Sequence, residues 1–141
     1  LHACDTATDD AIAFALSHHA QHVVLVPCCQ AEVAGALKAG KARALHNNPL
    51  VELWRRPLHT REFGSQLTNV LRCLQLEAHG YEVTVTELVG WEHSMKNELI
   101  VASKGSPHAK TSALRLHAML DQLGLSEMRP RFFTPLLEAA A

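Results

Sequence analysis

Two short segments near the start of the chain carry thiols, a carboxylate and a hydroxyl directly after runs that are typical of buried strands. Residues 1–6 (LHACDT) are interpreted as the end of a strand that leads into a helix, and residues 27–29 (PCC) follow the apolar run 23–26. In open α/β sheets, ligands bind outside the carboxyl ends of the strands. The sequence therefore predicts one site at which residues 4–6 lie beside residues 27–29.

Asp5 is the candidate catalytic residue of this predicted site. A carboxylate between a strand end and a helix N-terminus can orient a ligand or accept a proton from a nucleophile. The alternative is an aspartate that caps the helix and accepts hydrogen bonds from backbone N–H groups. Thr6 and Thr8 are most simply helix caps. His2 either lines the site or is a buried structural histidine.

The cysteines Cys4, Cys28 and Cys29 allow several interpretations. They could line a substrate or cofactor pocket, or pack as small buried apolar side chains. Thiolates together with His2 or His22 would suit Zn²⁺, but the chain has no C-x₂-C pair, so no metal site is predicted. A nucleophilic Cys29 is a further alternative, because the helix expected after it would favour the thiolate.

The composition bounds the class of protein. A length of 141 residues, of which 48% are hydrophobic, predicts one domain with an apolar core. A formal net charge of −1 gives no basic field for nucleic acid or an anionic membrane. The longest apolar run is too short to span a bilayer. Four cysteines without a secretory signal predict a soluble cytoplasmic protein.

Periodic apolar residues and turn-forming residues predict the elements that position these segments. We expect helices over residues 8–19, 31–39, 60–79 and 106–123, with one helical turn near 51–55 and a short helix in the tail. The continuous apolar run 23–26 predicts a strand covered on both faces, as in a parallel sheet. Strands over 81–86 and 99–102 are expected to form an antiparallel hairpin. This order of elements predicts an α/β fold.

The loop of the predicted hairpin, residues 90–97, carries Trp91 and His93. An exposed aromatic residue there could stack on a base or another ring. The alternative is a tryptophan that folds over the core. Asn97 is expected to form hydrogen bonds with the loop backbone.

The segment LHACDTATDDAI and the following VVLVPCC resemble the class I S-adenosylmethionine-dependent methyltransferases of methyltransferase domain family 32. Its members carry a leucine-histidine-alanine-cysteine run at the end of the fourth strand and proline-cysteine-cysteine at the end of the fifth. Residues 92–102 (EHSMKNELIVA) are similar to a family pattern, with Ser94 in place of threonine, and residues 80–104 resemble the closing hairpin of the fold. The resemblance covers about residues 1–105 and leaves residues 106–141 as a C-terminal helical extension.

The resemblance implies a Rossmann-like sheet and methyl transfer from S-adenosyl-L-methionine to an acceptor that is RNA, protein or a small molecule. Methyl transfer depends on the placement of donor and nucleophile more than on strong acid–base groups. Asp5 would orient or deprotonate the acceptor. The donor pocket would be lined by His2, Ala3, Cys4 and Thr6, and the acceptor side would be shaped by Pro27, Cys28, Cys29, Trp91 and His93.

The chain departs from the family pattern in its glycines. All seven are isolated and none forms a G-x-G cluster, whereas this fold binds its cofactor mainly through a glycine-rich turn after the first strand. The chain is therefore expected to hold strands four to seven, without the N-terminal cofactor-binding half. The first strand would then have an uncovered edge, which another polypeptide or a second copy could complete.

Two further functions remain open from the sequence. A half-domain without a donor site could serve as a non-catalytic protein-interaction module that pairs through its free sheet edge. A thiol or metal enzyme that uses Cys4, Cys28 and Cys29 is the other alternative.

Overall fold

The computed structural model describes residues 6–27, 30–40, 50–90, 92 and 97–135. The elements follow the predicted order, while the strand end expected at the start of the chain lies outside the described residues. The helices are α1 (Ala7–Ser17), α2 (Glu32–Gly40), α3 (Val51–Trp54), α4 (Pro57–Ala78) and α5 (Ala109–Gln122), followed by a 3₁₀ turn (Ser126–Met128). The strands are β1 (His22–Leu25), β2 (Tyr81–Glu87) and β3 (Glu98–Lys104).

The three strands form one sheet in the order β1-β3-β2, with antiparallel pairing on both sides of β3. Val101 of β3 lies between Val24 of β1 and Thr84 of β2 in the register of the sheet. The predicted hairpin of β2 and β3 is therefore confirmed, and the fold is mixed α/β. A parallel neighbour for β1 was expected from the first residues of the chain, which lie outside the described part.

The expectation that β1 is covered on both faces is wrong. Val23 and Leu25 are buried, whereas Val24 is 62% exposed and Val26, just after the strand, is 52% exposed. In the described residues the inner face packs into a core with α1 and α4, in which Ile12 is fully buried. A run of four apolar residues predicts a strand, but it does not show whether one face of the strand or both faces are buried.

Helix α4 packs against a second apolar core formed with α2, α5 and the tail. The buried residues of this core include Val33, Leu37, Leu67, Leu71, Leu74, Leu116, Leu120 and Phe132. The described part of the predicted C-terminal extension thus shares a core with the helix before the hairpin. Gly64 permits the close approach of α2 to α4, since a Cβ at this position would lie 2.6 Å from the Ala34 Cβ.

The ends of α4 and α5 are predicted better than their starts. Gly80 (φ 85°) and Gly124 (φ 69°) follow α4 and α5 in the left-handed conformation that glycine favours, as expected. Helix α4 begins at Pro57, three residues earlier than predicted, because proline suits the first turn. Helix α5 begins at Ala109 and not at Ser106-Pro107, since the Ser106 hydroxyl accepts a bond from the His108 N–H (3.3 Å) in a preceding turn.

Tyr81, the single tyrosine of the chain, reports on the sheet end. Its fully buried hydroxyl donates to the Ala20 carbonyl (2.6 Å), and burial raises its pKa above the ordinary value. We expect the 295 nm absorbance of the folded protein to titrate above pH of about 10, the ordinary tyrosine value, and that of the denatured chain near it. Because the folded pKa is the higher one, the stabilising contribution is complete below pH 10 and is lost as pH rises through the folded pKa. Identical titrations of the two states would contradict this burial.

Candidate functional site

The structure describes Thr6 and Pro27 among the residues predicted to line the site. The other predicted site residues lie outside the described part of the chain: His2, Ala3, Cys4, Asp5, Cys28, Cys29, Trp91 and His93. Their roles therefore stay predictions. The described residues nevertheless show how the helices that follow these two segments are held together.

Thr6 is the residue before α1, and its carbonyl accepts a hydrogen bond from the Asp10 N–H (2.8 Å). Its hydroxyl makes no capping bond and the side chain is exposed, so the interpretation of Thr6 as a side-chain cap is wrong. Pro27 is buried just beyond β1, where the sequence predicted that it ends the strand.

A buried ion pair lies in the first turn of α1. The Arg72 guanidinium of α4 donates from Nε to Asp9 Oδ1 (2.7 Å) and from Nη2 to Asp9 Oδ2 (3.0 Å). The Arg72 side chain is 1% exposed and the Asp9 side chain 9%. Such two-pronged contact fixes the geometry of both side chains as well as pairing their charges.

A second guanidinium approaches the same carboxylate. Arg131, in the tail after the 3₁₀ turn, donates to Asp9 Oδ2 from Nε (2.9 Å) and from Nη2 (2.5 Å). Its Nη1 donates to the carboxylate of Glu32 in the first turn of α2. Arg72 and Arg131 thus share the carboxylate of Asp9, and Arg131 also pairs with Glu32.

Asn69 of α4 extends this arrangement towards the other strands. Its Oδ1 accepts bonds from Arg72 Nη1 (3.1 Å) and from Gln30 Nε2 (3.0 Å). Its Nδ2 donates to Glu98 Oε2 (2.6 Å) at the start of β3. We call Asp9, Gln30, Glu32, Asn69, Arg72, Glu98 and Arg131 the polar cluster. It connects the chain just after residues 1–5, the chain just after residues 28–29, and the start of the last strand.

The polar cluster positions chain segments, because its charged groups face one another. The sequence did not predict the pair of Asp9 and Arg72, since the two residues lie 63 positions apart. A signal did exist. Asn69, Arg72 and Gln75 recur every three residues along α4 between apolar neighbours, and all three are buried. A polar row inside a buried helix predicts buried partners.

At the loop end of the hairpin, Asn97 bonds to the chain just after β2. The Val89 N–H donates to Asn97 Oδ1 (2.6 Å), the Asn97 Nδ2 donates to the Val89 carbonyl, and the Leu88 N–H donates to the Asn97 carbonyl (2.8 Å). The predicted bonding of Asn97 to the loop backbone is confirmed. The ends of β2 and β3 are therefore held together on both sides of the predicted loop.

Two clefts formed by described residues are lined by neither Thr6 nor Pro27. One, of about 670 Å³, lies between the end of α1, the end of α4 and the start of α5, where His19, His79, Lys104 and Lys110 line it. Another, of about 570 Å³, is an apolar groove between α4 and α5. Neither cleft contains a residue of the predicted site.

Among the described residues, no group of three or more histidine, cysteine, aspartate or glutamate side chains could hold a metal ion. No described helix has the length and apolar character needed to cross a membrane.

Residues 1–36 match the family model of a methyltransferase domain, the family numbered 32. The resemblance predicted from the sequence is thereby confirmed for the N-terminal part of the chain. This part contains both strand-end segments and the cluster residues Asp9, Gln30 and Glu32. No curated protein and no solved structure matches the chain.

The cost of breaking the ion pair can be measured with two neighbouring aspartates. Asp9→Asn leaves the buried Arg72 without its carboxylate, and we expect a loss of about 3–5 kcal/mol in the free energy of unfolding. Asp10→Asn changes an exposed residue in the same helical turn and should cost less than about 1 kcal/mol. Urea denaturation of both variants checks this, and equal losses would show that the ion pair contributes nothing beyond the helix dipole.

Cys73 of α4 should be an unreactive thiol. Burial is the main cause that raises the pKa of its thiol to about 12, and the negative charges of Glu98 and Glu77 raise it further. Near pH 8 little thiolate forms, so we expect alkylation at least about tenfold slower in the folded chain than in the denatured chain. Mass spectrometry after a pulse of iodoacetamide measures each cysteine separately. Rapid labelling of Cys73 in the folded protein would contradict its half-buried position on α4.

Proposed function

We propose that this chain is the C-terminal half of a Rossmann-like domain that takes part in S-adenosyl-L-methionine-dependent methyl transfer. The observation that carries the proposal is the match of residues 1–36 to a methyltransferase domain, because that segment contains both strand-end motifs. In this proposal residues 1–105 belong to the methyltransferase domain and residues 106–141 are a helical extension that packs onto it.

The sheet supports this assignment. β3 pairs with one edge of β1, and in the described residues the other edge of β1 has no strand beside it. A parallel strand formed by the first residues of the chain would fit that edge. Its carboxyl end would then lie next to Pro27, which would bring the two motifs together at one end of the sheet.

The proposed roles follow the family resemblance residue by residue. Asp5 orients the acceptor or takes its proton, and Thr6 lines the donor pocket from the exposed start of α1. The remaining donor-pocket residues are His2, Ala3 and Cys4. The acceptor side is shaped by Pro27, Cys28, Cys29, Trp91 and His93.

In this proposal the residues of this chain form only one side of the donor pocket. S-adenosyl-L-methionine supplies a methyl group on a sulfonium centre when it is bound. None of the isolated glycines provides the turn whose backbone amides would approach the cofactor closely. The other side must come from outside residues 1–141. The acceptor is RNA, protein or a small molecule, and the net charge of −1 gives no electrostatic support for RNA.

A second candidate function is a non-catalytic protein-interaction module. The exposed Val24 and Val26 on the open sheet face favour it, as does the apolar groove between α4 and α5. Apolar surface that stays exposed in one chain is a common mark of a protein contact. This candidate predicts no affinity for the methyl donor or its product.

Calorimetric titration of S-adenosylhomocysteine tests the first proposal. We expect binding to the full-length product of the gene and little or none to the 141-residue chain alone. Cys4→Trp should abolish the binding by filling the proposed pocket, while Asp10→Asn, an exposed change on α1, should leave it intact. The absence of binding to either protein would exclude the donor pocket and favour the interaction module.

A further inference from the structure

The tail of the chain reaches back to the starts of two helices at once. Arg131 contacts Asp9 in the first turn of α1 and Glu32 in the first turn of α2. These are the helices that directly follow residues 1–6 and residues 27–29. A single guanidinium therefore bridges the two helices that follow the segments to which the sequence assigns chemistry.

The backbone of Arg131 is held independently of those helices. Gln75 Nε2 of α4 donates to the carbonyls of Arg131 and Phe133 (3.4 Å each). Between them, the fully buried Phe132 belongs to the core of α4 and α5. Thr134 Oγ1 lies 2.9 Å from His117 Nε2 of α5. The tail is thus anchored on α4 and α5, and these contacts hold the backbone from which the Arg131 side chain extends.

The carboxylates of Asp9 and Glu32 meet this guanidinium from different sides. Without this cation the two carboxylates would lose the donor that they share, and with it the contact between the first turns of α1 and α2 that runs through Arg131. The side chains of Arg131 and Asp9 are 13% and 9% exposed, so water screens this pair only weakly, whereas Glu32 is the more exposed partner. A planar guanidinium with several fixed donors sets distance and direction, which a flexible ammonium does not.

We propose that Arg131 is a positioning residue that sets the spacing between the first turns of α1 and α2. Through them it fixes the separation of the segments that carry Asp5 and Cys28-Cys29, and this last step rests on the proposed function. The tail, which lies outside the matched residues, is then a structural part of the site. Arg131 acts through Asp9 and Glu32.

The chain offers a matched control two residues away. Arg129 donates to both carboxylate oxygens of Asp121 on α5 (2.5 and 2.6 Å), in a pair whose side chains are 36% and 48% exposed. Arg129→Gln therefore removes an arginine–aspartate pair from the same tail without touching α1 or α2. An effect of Arg131→Gln that Arg129→Gln lacks is specific to the bridge.

Amide hydrogen exchange followed by NMR tests the proposal directly. The reporters are the Asp10 N–H, which bonds the Thr6 carbonyl, and the Gly35 N–H, which bonds the Ala31 carbonyl. Arg131→Gln should speed exchange at both by about tenfold, while amides of the α4–α5 core stay unchanged. Arg131→Lys should be intermediate, because it keeps the charge without the planar geometry. Equal acceleration at core amides, or none at Asp10 and Gly35, would overturn the proposal.

Glu32→Gln keeps the experiment decisive if Arg131→Gln does not fold. The Glu32 side chain is 53% exposed, and its removal leaves the pairing of Asp9 intact. Exchange should then rise at Gly35 and not at Asp10. Acceleration at neither amide would show that Arg131 does not hold α2 through Glu32, and would overturn the bridge.

The binding readout separates this proposal from the function itself. In the protein that binds S-adenosylhomocysteine, Arg131→Gln should weaken the affinity about tenfold, or about 1.4 kcal/mol, and Arg129→Gln should not. If the unaltered protein does not bind, the proposed function fails while the exchange result still decides the bridge. Equal affinities of the unaltered protein and Arg131→Gln would exclude a role of the bridge in the site.

Discussion

The arrangement of the helices in this structure depends on the two-pronged contact between Asp9 and Arg72. Both side chains are almost completely buried. Taking a carboxylate and a guanidinium out of water costs several kcal/mol per ion, and only close pairing with further hydrogen bonds offsets that cost. Arg131 and Asn69 supply those further bonds. Helices α1 and α4 therefore have one arrangement in which these charges are satisfied, and neighbouring elements must accommodate it.

Helix α4 can meet this requirement because it faces two cores. Leu67, Leu71 and Leu74 pack with α2, α5 and the tail, while Leu76 packs with α1 and the sheet. The buried row of Asn69, Arg72 and Gln75 lies on the same helix between these apolar faces. The polar cluster thus occurs where the two cores meet, and it specifies how they are oriented. Apolar packing supplies most of the stabilisation, but it is not directional.

Local structure could be predicted from this sequence, and long-range structure could not. The periodicity of α4, the glycines after α4 and α5, and the alternation of β2 each depend on a few consecutive residues. The capping of Thr6 failed because its backbone (φ −101°, ψ −27°) is not in the extended conformation typical of a capping residue. The burial of β1 failed because it depends on what the rest of the chain places nearby. Arg131 and Asp9 are 122 positions apart, and no local pattern connects them. Within the predicted site, the motif at residues 1–6 made the family resemblance recognisable, because it is a specific run of residue types.

The packing of Gly64 against Ala34 has a consequence for how this protein can vary. A Cβ at position 64 would meet not only the Ala34 side chain but also its Cα at 2.7 Å and its backbone nitrogen at 2.8 Å. Shrinking residue 34 to glycine would therefore not make room. A larger residue at 64 could be accommodated only if the whole of α2 moved as a body, and that movement would carry Gln30 and Glu32 with it. The absence of a side chain at position 64 thereby limits which sequences can keep the start of α2 in its place beside α4.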